Sequence, residues 1–460
     1  MKTKLVLVGL GLGTFSVLEK IIESNNSLFD ITVIAKEPTI AYNRINIVKL
    51  LSGSTVEDIT FKDLKWYEEN NIKLYLNDSL AKIDSENKVV ITKLKETISY
   101  DKLVLSTGSN VDTPLIPGVR LKQCFGFRNI ADMSSIVEAS SQFNSISVIG
   151  AGFLGLEISH ALSILGKRVT LIEKEDHIFP NELNKKAGDI LQRDVESFGT
   201  RVLLSKEIKS IESEDAKVKS IRFLDGSFIS TDMVILATGI KPAVEYARMS
   251  KLELGSKGIK VNTSFETNIK DVYAIGECAE INSYIFTSIS SLRDQVEAFC
   301  SDLLDQDSKA FSISKENGIL FKTSGRFIFS AGKFNSNEVI EVENTCDNEY
   351  SKLFFKANRL IGAILVGDVS GSDRYLEMIN EKLDLSDLSK VSILGIGQEQ
   401  QNNEDSLDEI ICNCNQVTKG EIIKAIKEGA ITVEKVGEVT AAGTSCGGCQ
   451  SKIMTIIKSV

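Results

Sequence analysis

A glycine-rich turn between an apolar run and a helical pattern constrains this 460-residue chain more than any other feature. The segment ISVIGAGFLGLEISHALSILGKRVTLIEKE contains the motif G-x-G-x-x-G at Gly150, Gly152 and Gly155. It follows a predicted strand, opens a predicted helix and precedes a second strand, which ends in Glu173 about 20 residues on. Such a turn brings backbone N–H groups and the positive end of a helix dipole to a pyrophosphate. The pattern predicts a dinucleotide-binding fold, and the alternative is a strand–helix turn that holds no ligand.

Glu173 also indicates which dinucleotide this fold takes. A carboxylate at this place accepts hydrogen bonds from an adenosine ribose and repels a 2′-phosphate, which favours NADH over NADPH. Lys174 directly follows it and weakens the preference. We therefore expect NAD(P)H, with NADH favoured. The residues expected to bind it are Gly150, Gly152, Phe153, Leu154, Gly155, Glu173 and Gly239.

An earlier segment, LVLVGLGLGTFSVLEKII, repeats the arrangement at the start of the chain. Alternating aliphatic residues lead to Gly9, Gly11 and Gly13, and a helical pattern follows. Thr14 occupies the usual place of the third glycine, and a turn without a ligand is again the alternative. Glu37, after a second apolar run, is the matching candidate for a ribose-binding acid.

Composition argues against several other classes of function. The net charge is −10 and no run of Lys and Arg occurs, so nucleic-acid binding is not expected. No apolar stretch approaches the ~18 residues that span a membrane. The first residues imitate a signal peptide but lack a cleavage site, so we expect a cytoplasmic protein with reduced cysteines. Only two histidines occur, which argues against a His-based metal centre or a Ser–His–Asp triad.

Three further segments predict strands that deliver small residues to a ligand-facing turn. They are LVLSTGSN (103–110), MVILATGIKP (233–242) and VYAIGECAE (272–280). Their order around two dinucleotide folds resembles the flavoprotein reductases of the pyridine nucleotide–disulfide oxidoreductase family, over roughly residues 1–310. The resemblance implies FAD in the first fold and NAD(P)H in the inserted second fold. The FAD-binding residues that it implies are Gly9, Gly11, Gly13, Thr14, Glu37, Arg44, Lys49, Thr107, Gly108, Gly276 and Glu277.

The segment YNRINIVKLLSG (42–53) resembles the flavin-edge segment of the nitrite-reductase-like branch of that family. The resemblance implies that Arg44 and Lys49 lie near the isoalloxazine, where positive charge stabilises a reduced, anionic flavin. Glu157 matches an acid that faces the flavin–nicotinamide junction. These three are the candidate catalytic residues, and the alternatives are a solvated basic pair and an ordinary first-turn helix acid. Because no cysteine precedes Cys124, thiol chemistry at the flavin is not expected.

Four of the eight cysteines lie in the last fifty residues, as C-x-C at Cys412 and Cys414 and C-x-x-C at Cys446 and Cys449. Glycines beside them let backbone N–H groups approach the thiolates, which suits an iron–sulfur cluster. Zinc is an alternative, although its sites more often use C-x-x-C twice. A redox disulfide or reactive thiols are another. Residues 411–449 also resemble the BFD-like [2Fe–2S] domain, which implies that these four cysteines bind the cluster.

These observations predict an α/β protein with two nested Rossmann-like folds, an α+β interface domain and a small helical C-terminal domain. The interface domain resembles the one that covers the flavin in related reductases and often forms a homodimer. The predicted boundaries are 1–112 with 240–310 for FAD, 113–239 for NAD(P)H, 311–393 for the interface, 394–409 for a linker and 410–460 for the [2Fe–2S] domain.

NADH releases two electrons together as hydride, a [2Fe–2S] cluster accepts one, and a flavin converts between them. The whole chain resembles the N-terminal half of the large subunit of NADH-dependent nitrite reductases. No sirohaem domain follows, so we expect an electron-transfer subunit that serves a nitrate- or nitrite-reducing partner protein. The alternatives are an NADH:rubredoxin or ferredoxin reductase, a cluster-based redox sensor, and a protein whose tail is a zinc-bound docking module.

Overall fold

The computed structural model describes residues 2–24, 28–304, 311, 318–323, 325–344, 349–386, 393, 407–412, 415, 417–444 and 447–460. The chain divides into two compact units, Met1–Asp112 with Gly239–Ile313 and Thr113–Thr238 with Ser314–Val460. None of the described helices is both long and apolar enough to cross a membrane.

Within these ranges the strands, in chain order, are β1 (Thr3–Val8), β2 (Phe29–Ile34), β3 (Lys73–Tyr75), β4 (Leu80–Asp84), β5 (Val89–Thr92), β6 (Thr97–Ser99), β7 (Lys102–Leu105), β8 (Ser109–Val111), β9 (Cys124–Gly126), β10 (Ser145–Ile149), β11 (Arg168–Ile172), β12 (Arg201–Leu203), β13 (Ile208–Glu214), β14 (Lys217–Phe223), β15 (Phe228–Ser230), β16 (Met233–Leu236), β17 (Ile240–Pro242), β18 (Ile259–Val261), β19 (Val272–Ala274), β20 (Ala279–Ile281), β21 (Ile319–Thr323), β22 (Arg326–Gly332), β23 (Glu338–Asn344), β24 (Glu349–Lys356), β25 (Arg359–Val366), β26 (Ile410–Cys412) and β27 (Val417–Thr418). The α-helices are α1 (Leu12–Glu23), α2 (Leu64–Glu69), α3 (Ile130–Gln142), α4 (Phe153–Ile164), α5 (Lys185–Ser197), α6 (Ile289–Leu303), α7 (Ser372–Asn380), α8 (Lys419–Lys427), α9 (Val433–Thr440) and α10 (Gln450–Ser459). Short 3-10 helices cover Arg44–Ser52, Glu57–Ile59 and Gly276–Cys278.

The first unit is built on a five-stranded parallel sheet of order β19-β7-β1-β2-β3. The second halves of β1, β2 and β7 are buried on both faces, which explains their aliphatic sequence. Val8 lies opposite both Ile34 and Leu105, and Leu105 lies opposite Ala274, so the strands end at one level. Ligands bind beyond the carboxyl ends of such strands. Predicted site residues follow these four ends, namely Gly9, Glu37, Thr107 and Gly276.

The second unit contains another parallel sheet, of order β12-β11-β10-β16-β9. Ile149 at the end of β10 lies opposite Ile172 and Leu236. Gly150 and Glu173, which directly follow β10 and β11, therefore lie at the same edge of the sheet. The two parallel sheets confirm the predicted α/β class with two dinucleotide-type folds.

The second unit also holds an antiparallel sheet of order β21-β22-β25-β24-β23, against which α7 packs. Its strands are followed along the chain by α7, which agrees with the α+β character predicted for this region. Buried residues of β24, β25 and α7 form one continuous core that includes Leu353, Ala363 and Tyr375.

The C-terminal domain is small and helical, with α8, α9 and α10 around a core of Ile422, Val436 and Ile453. Most of the predicted linker, 394–406, lies outside the described residues. Its last three residues, 407–409, contact the C-terminal domain. The carbonyls of Leu407 and Glu409 accept hydrogen bonds from the first turn of α8, each at 2.8 Å, so the folded domain already includes 407–409.

Candidate functional site

The first glycine-rich turn leaves open space in front of α1. Gly9 has a φ of +100°, and a Cβ there would lie 2.2 Å from the carbonyl oxygen of Ser106, so only glycine fits. Gly11 is the N-cap of α1, where no side chain caps the helix. A Cβ on Gly11 would meet nothing within 4 Å. The first N–H groups of α1 therefore face a space that an anionic group can occupy.

Thr14 provides an independent sign of a ligand at this turn. It lies in the first turn of α1 and is fully buried. Its hydroxyl has no hydrogen-bond partner among the described residues. Beside it, a Cβ on Gly13 would lie 2.7 Å from Ser106 Oγ, so a larger residue would close the space. A buried hydroxyl without a partner requires an explanation, and a pyrophosphate oxygen would supply one. The turn fits the pyrophosphate of FAD.

Three predicted residues converge after β2. Glu37 accepts a hydrogen bond from Tyr42 Oη at 2.8 Å and forms an ion pair with Arg44 at 3.0 Å. Burial lowers the pKa of Arg44, but Tyr42, Glu37 and Glu277 together outweigh burial and raise that pKa above its ordinary value. Arg44 is thus within electrostatic reach of both the predicted ribose acid and the predicted ribityl acid.

The segment GECA forms the 3-10 helix Gly276–Cys278, as part of the turn after β19. Gly276 has a φ of +75° and donates its N–H to Gln295 Oε1 at 2.8 Å. Glu277 accepts a hydrogen bond from Ser109 Oγ at 2.6 Å, which brings it to the turn after β7. In that turn Gly108 has a φ of +64°. The two predicted flavin segments therefore meet at one edge of the sheet.

The side chain of Thr107 has partners within the first unit. Its hydroxyl donates to the carbonyl of Ala243 at 2.8 Å and lies 3.0 Å from Tyr246 Oη. The side chain thus helps to fix the returning chain, while the backbone of Thr107 and one acceptor position of its hydroxyl can still serve a ligand.

The candidate catalytic residues belong to different units. Lys49 lies on the 3-10 helix Arg44–Ser52 of the first unit and is partly buried, like Arg44. Glu157 lies on α4 of the second unit and is also partly buried.

The second glycine-rich turn reproduces the features of the first. Gly150 has a φ of +102°, and a Cβ there would lie 2.3 Å from the carbonyl oxygen of Ala237. A Cβ on Gly155 would lie 1.8 Å from the carbonyl oxygen of Gly150, so the helix packs directly on the turn. Gly152 caps α4 without a side-chain hydrogen bond, and a Cβ on it would meet nothing within 4 Å. This turn fits the pyrophosphate of a second dinucleotide.

Glu173 is 7% exposed and has a second task that the sequence did not reveal. Its Oε2 accepts from the N–H of Ala151 at 2.8 Å, and its Oε1 accepts from the N–H groups of Lys174 and Glu175 at 2.8 and 3.1 Å. A carboxylate has about four acceptor positions, so roughly one remains for a ribose hydroxyl. Glu173 therefore fixes the glycine-rich turn as well as presenting an acceptor.

The remaining residues predicted to bind NAD(P)H do not all lie in the second unit. Phe153 begins α4, and its ring packs edge-on against Phe321, with centroids 5.4 Å apart. Leu154 is partly buried in the same first turn. Gly239, with a φ of +103°, belongs to the first unit rather than to the second.

Two of the four predicted cluster ligands lie within the described residues. Cys412 ends β26 and is 2% exposed, and Cys449 is the N-cap of α10 and is 8% exposed. Both belong to one core with Ile422 and Ile453, so the fold brings the C-x-C and C-x-x-C segments together. Cys414 and Cys446 lie outside the described residues.

The other described cysteines are protected thiols. Burial raises the pKa of Cys124 to about 11 and that of Cys300 to about 12. Burial also raises the pKa of Cys278, whose Sγ lies 3.4 Å from the carbonyl oxygen of Leu105. A thiol with a raised pKa is a poor nucleophile at neutral pH. These three thiols are therefore poorly suited to nucleophilic chemistry at neutral pH.

Sequence analysis missed Glu280, which is 3% exposed and lies just after GECA. Its carboxylate accepts from the backbone N–H groups of Ser256, Lys257 and Gly258 at 2.9, 2.6 and 2.8 Å. The only sequence signal for Glu280 is that an acid follows an otherwise largely apolar segment. The backbone groups that bind its carboxylate are about twenty residues earlier in the chain. Glu280 anchors the loop beside the predicted flavin segment.

We expect Glu280→Gln to destabilise the first unit by about 2 kcal/mol at pH 7, because the amide cannot accept from three donors as a carboxylate does. Burial alone would raise the pKa of Glu280, but the backbone donors lower it below its ordinary 4.5. The stabilisation is present above pH 4.5 and is lost as the pH falls through the lowered value. Urea unfolding at several pH values measures the difference in unfolding free energy between the wild type and Glu280→Gln. This difference should become smaller at acidic pH. The control Glu253→Gln alters an exposed acid and should change stability by less than about 0.5 kcal/mol.

Comparisons with known proteins agree with this geometry. Residues 3–297 match the family described as pyridine nucleotide-disulphide oxidoreductase, residues 320–383 the rubredoxin NAD+ reductase C-terminal domain, and residues 410–459 the BFD-like [2Fe-2S] binding domain. These matches confirm the predicted cofactors, FAD and NAD(P)H for the first and a [2Fe–2S] cluster for the last.

Individual relatives extend over nearly the whole chain. The chain is 38% identical to the nitrite reductase [NAD(P)H] of Bacillus subtilis, over 99% of the chain and 58% of that protein. It is 34% identical to the assimilatory nitrate reductase electron transfer subunit of the same organism, over 99% of the chain and 60% of that protein. The chain thus spans about three fifths of the length of both relatives.

A solved structure shows the same fold. The NADH:rubredoxin oxidoreductase of Clostridium acetobutylicum superposes with a TM-score of 0.73 at 25% identity, covering 86% of this chain and 99% of that one. The long family match covers more than half of the chain and includes both glycine-rich turns. The chain therefore belongs to the pyridine nucleotide-disulphide oxidoreductase family.

Proposed function

We propose that this protein is an NADH-dependent electron-transfer reductase that delivers electrons to a nitrate- or nitrite-reducing partner protein. The observation that supports this best is the combination, in one chain, of two open glycine-rich turns and a C-terminal domain that gathers the cysteine segments. When bound, FAD accepts hydride from a nicotinamide and passes single electrons to an iron–sulfur cluster.

In this proposal the residues of the first unit hold FAD along its length. The N–H groups of α1 and the hydroxyl of Thr14 donate to the pyrophosphate. Glu37 accepts from the adenosine ribose, and Glu277 accepts from the ribityl chain. Lys49 keeps its proposed place at the flavin edge.

The contacts of Arg44 favour a changed role for this residue. It is bonded to Glu37 and close enough to Glu277 to feel its charge, so it lies near both the group proposed for the ribose and the group proposed for the ribityl chain. The pyrophosphate lies between the same two parts of FAD. We therefore propose that Arg44 neutralises the pyrophosphate rather than the isoalloxazine, and that it does so as a guanidinium that can bond two oxygens.

Replacing Arg44 should consequently weaken FAD binding without altering the spectrum of the flavin that remains. We expect Arg44→Ala to cost about 2 kcal/mol, or about thirtyfold in the FAD dissociation constant, and Arg44→Lys to cost less. Fluorescence titration of flavin-depleted protein measures this. The control Arg222→Ala removes a different Arg–Glu pair in the second unit and should leave FAD affinity unchanged. A shifted flavin spectrum with unchanged FAD affinity would instead mean that Arg44 lies beside the isoalloxazine.

In the second unit the N–H groups of α4 would donate to the dinucleotide pyrophosphate, and Glu173 would use its remaining acceptor position on the ribose. Glu157, in the second turn of α4, is proposed to face the nicotinamide. In the C-terminal domain Cys412, Cys414, Cys446 and Cys449 would ligate the cluster.

Anaerobic titration with NADH, followed by visible absorption and electron paramagnetic resonance, tests the proposal. We expect bleaching of flavin absorption and then a reduced [2Fe–2S] signal. Zinc without iron in anaerobically purified protein would refute it. A partner assay with purified nitrate or nitrite reductase then tests the acceptor.

A second candidate is an NADH:rubredoxin or ferredoxin reductase. It is favoured by the match of residues 320–383 to the rubredoxin NAD+ reductase C-terminal domain. The same protein would then reduce rubredoxin or a ferredoxin faster than it reduces a nitrate- or nitrite-reducing partner.

A further inference from the structure

Strand β21 is the edge strand of the antiparallel sheet in the second unit, and it has partners on both faces. It pairs with β22 along one side. Because side chains alternate along a strand, Phe321 points to one face, and Leu320 and Lys322 point to the other. An edge strand exposes unpaired backbone groups unless another element covers them.

The loop before α10 lies directly on this strand. A Cβ on Gly448 would lie 2.7 Å from the carbonyl oxygen of Leu320, and a Cβ on Gly447 would lie 3.1 Å from Lys322 Cβ. Lys322 Nζ also donates to Gln450 Oε1 at 2.8 Å. Gly448 does not have a left-handed φ, so contact with β21 and not backbone conformation explains the glycine. We call Leu320 and Lys322 the loop seat.

A second contact supports the loop seat from outside the strand. Lys452 on α10 forms an ion pair with Asp373 on α7 at 2.7 Å. Since α7 packs against the same antiparallel sheet, the C-terminal domain has at least two attachments to it. The domain is therefore positioned on the sheet, at the loop that precedes the predicted ligand Cys449.

The opposite face of β21 contacts the second glycine-rich turn. Phe321 is 2% exposed and stacks on Phe179 with centroids 4.8 Å apart, and it meets Phe153 edge-on. Phe153 directly follows Gly152, and Phe179 donates its N–H to the carbonyl of Ala151 at 2.9 Å. Phe179 has a φ of +58°, which is unfavourable for a bulky residue, so the packing around it must hold it in place.

We propose that Phe321 is a positioning residue that couples two events. One is dinucleotide binding at the second glycine-rich turn, and the other is closure of the loop seat, meaning contact between the loop before Cys449 and the loop seat. A dinucleotide at the turn restricts Phe153 and Phe179, the aromatic stack fixes β21, and the fixed strand holds the loop before Cys449. Coupling is reciprocal, so opening of the loop seat weakens dinucleotide binding by the same factor, typically about fivefold or more. The inference rests on the proposed function only in that the second fold binds NAD.

Hydrogen–deuterium exchange of the full-length holoprotein, with and without saturating NAD+, tests this coupling. In the wild type we expect NAD+ to slow exchange about fivefold or more both at 150–155 and at 447–459. In Phe321→Leu the protection of 150–155 should remain and that of 447–459 should be lost. The matched control Phe355→Leu makes the same change in the core of β24, which β22 and β25 separate from β21, so it should leave both protections in place.

The outcomes separate this inference from the proposed function. Unprotected 150–155 amides in the wild type would refute NAD binding at this turn. Protected 150–155 amides with unchanged 447–459 amides, or a Phe321→Leu variant that behaves like the wild type, would refute the coupling alone. If Phe321→Leu does not fold, Gly448→Ala provides the test by calorimetric titration with NAD+. Its methyl group opens the loop seat, so NAD+ should bind about fivefold more weakly, and an unchanged affinity overturns the proposal.

Discussion

Gly152→Asp should abolish NADH-dependent flavin reduction while leaving the protein folded, loaded with FAD and slightly more stable. A side chain at this position meets nothing within 4 Å, and the backbone is not left-handed. An aspartate there can cap α4, which now has no side-chain cap, and would stabilise the helix by roughly a few tenths of a kcal/mol relative to glycine. The same carboxylate would occupy the space proposed for the pyrophosphate. Repulsion between like charges costs several kcal/mol, so NADH should bind at least about a hundredfold more weakly. Stopped-flow flavin bleaching against NADH concentration measures the loss.

The matched control is Gly11→Asp, the same change at the equivalent N-cap of α1. It should prevent FAD binding and leave NAD+ binding intact, because the two turns lie in separate units. Opposite ligand losses in these two variants, with thermal stability retained in both, would distinguish ligand exclusion from misfolding. Normal NADH reduction by Gly152→Asp would mean that the second turn does not hold the dinucleotide.

How much of this architecture the sequence reveals depends on the range of the interactions. Gly9 and Gly150 were predictable because a strand, a left-handed glycine and a helix start follow one another locally. The α+β character of the region that contains β22 and β25 was likewise predictable, but the order and direction of its strands were not. In contrast, the contact of Arg44 with Glu37 depends on how an irregular segment folds back after β2. A segment that folds back in this way leaves no periodic pattern in the sequence.

The functional details were predicted least well where one side chain serves two purposes. Glu173 was identifiable as an acceptor for a ligand, but its three backbone donors depend on the path of residues 151 and 174–175. Thr107 was identified as an FAD-binding residue from a family resemblance, and nothing in the sequence indicated that its hydroxyl also donates to the carbonyl of Ala243. The contact of Gly448 with β21 joins segments more than a hundred residues apart, and a glycine pair beside cysteines gives no indication of it.

Cys449→Ser should remove the [2Fe–2S] cluster and reduce electron delivery to a protein acceptor to background. Cys449 is nearly buried in the core shared with Cys412, and a serine hydroxyl is a much poorer ligand for iron than a thiolate. NADH-dependent reduction of a small dye should stay within about twofold of the wild type, because FAD and NAD(P)H are proposed to bind through other residues. Iron analysis, electron paramagnetic resonance and the two assays together measure this result.

The control for that variant is Cys124→Ser, which changes a thiol whose pKa burial raises to about 11 and which lies outside the C-terminal domain. Iron content and both activities should be unchanged in it. If Cys449→Ser lost dye reduction as well, the C-terminal domain would be needed for hydride transfer itself, and electron exit could not be assigned to it separately. If it kept protein-acceptor reduction without iron, electrons would leave from the flavin directly. Retention of dye reduction with loss of the acceptor reaction is therefore the result that assigns electron exit to the cysteine-rich domain.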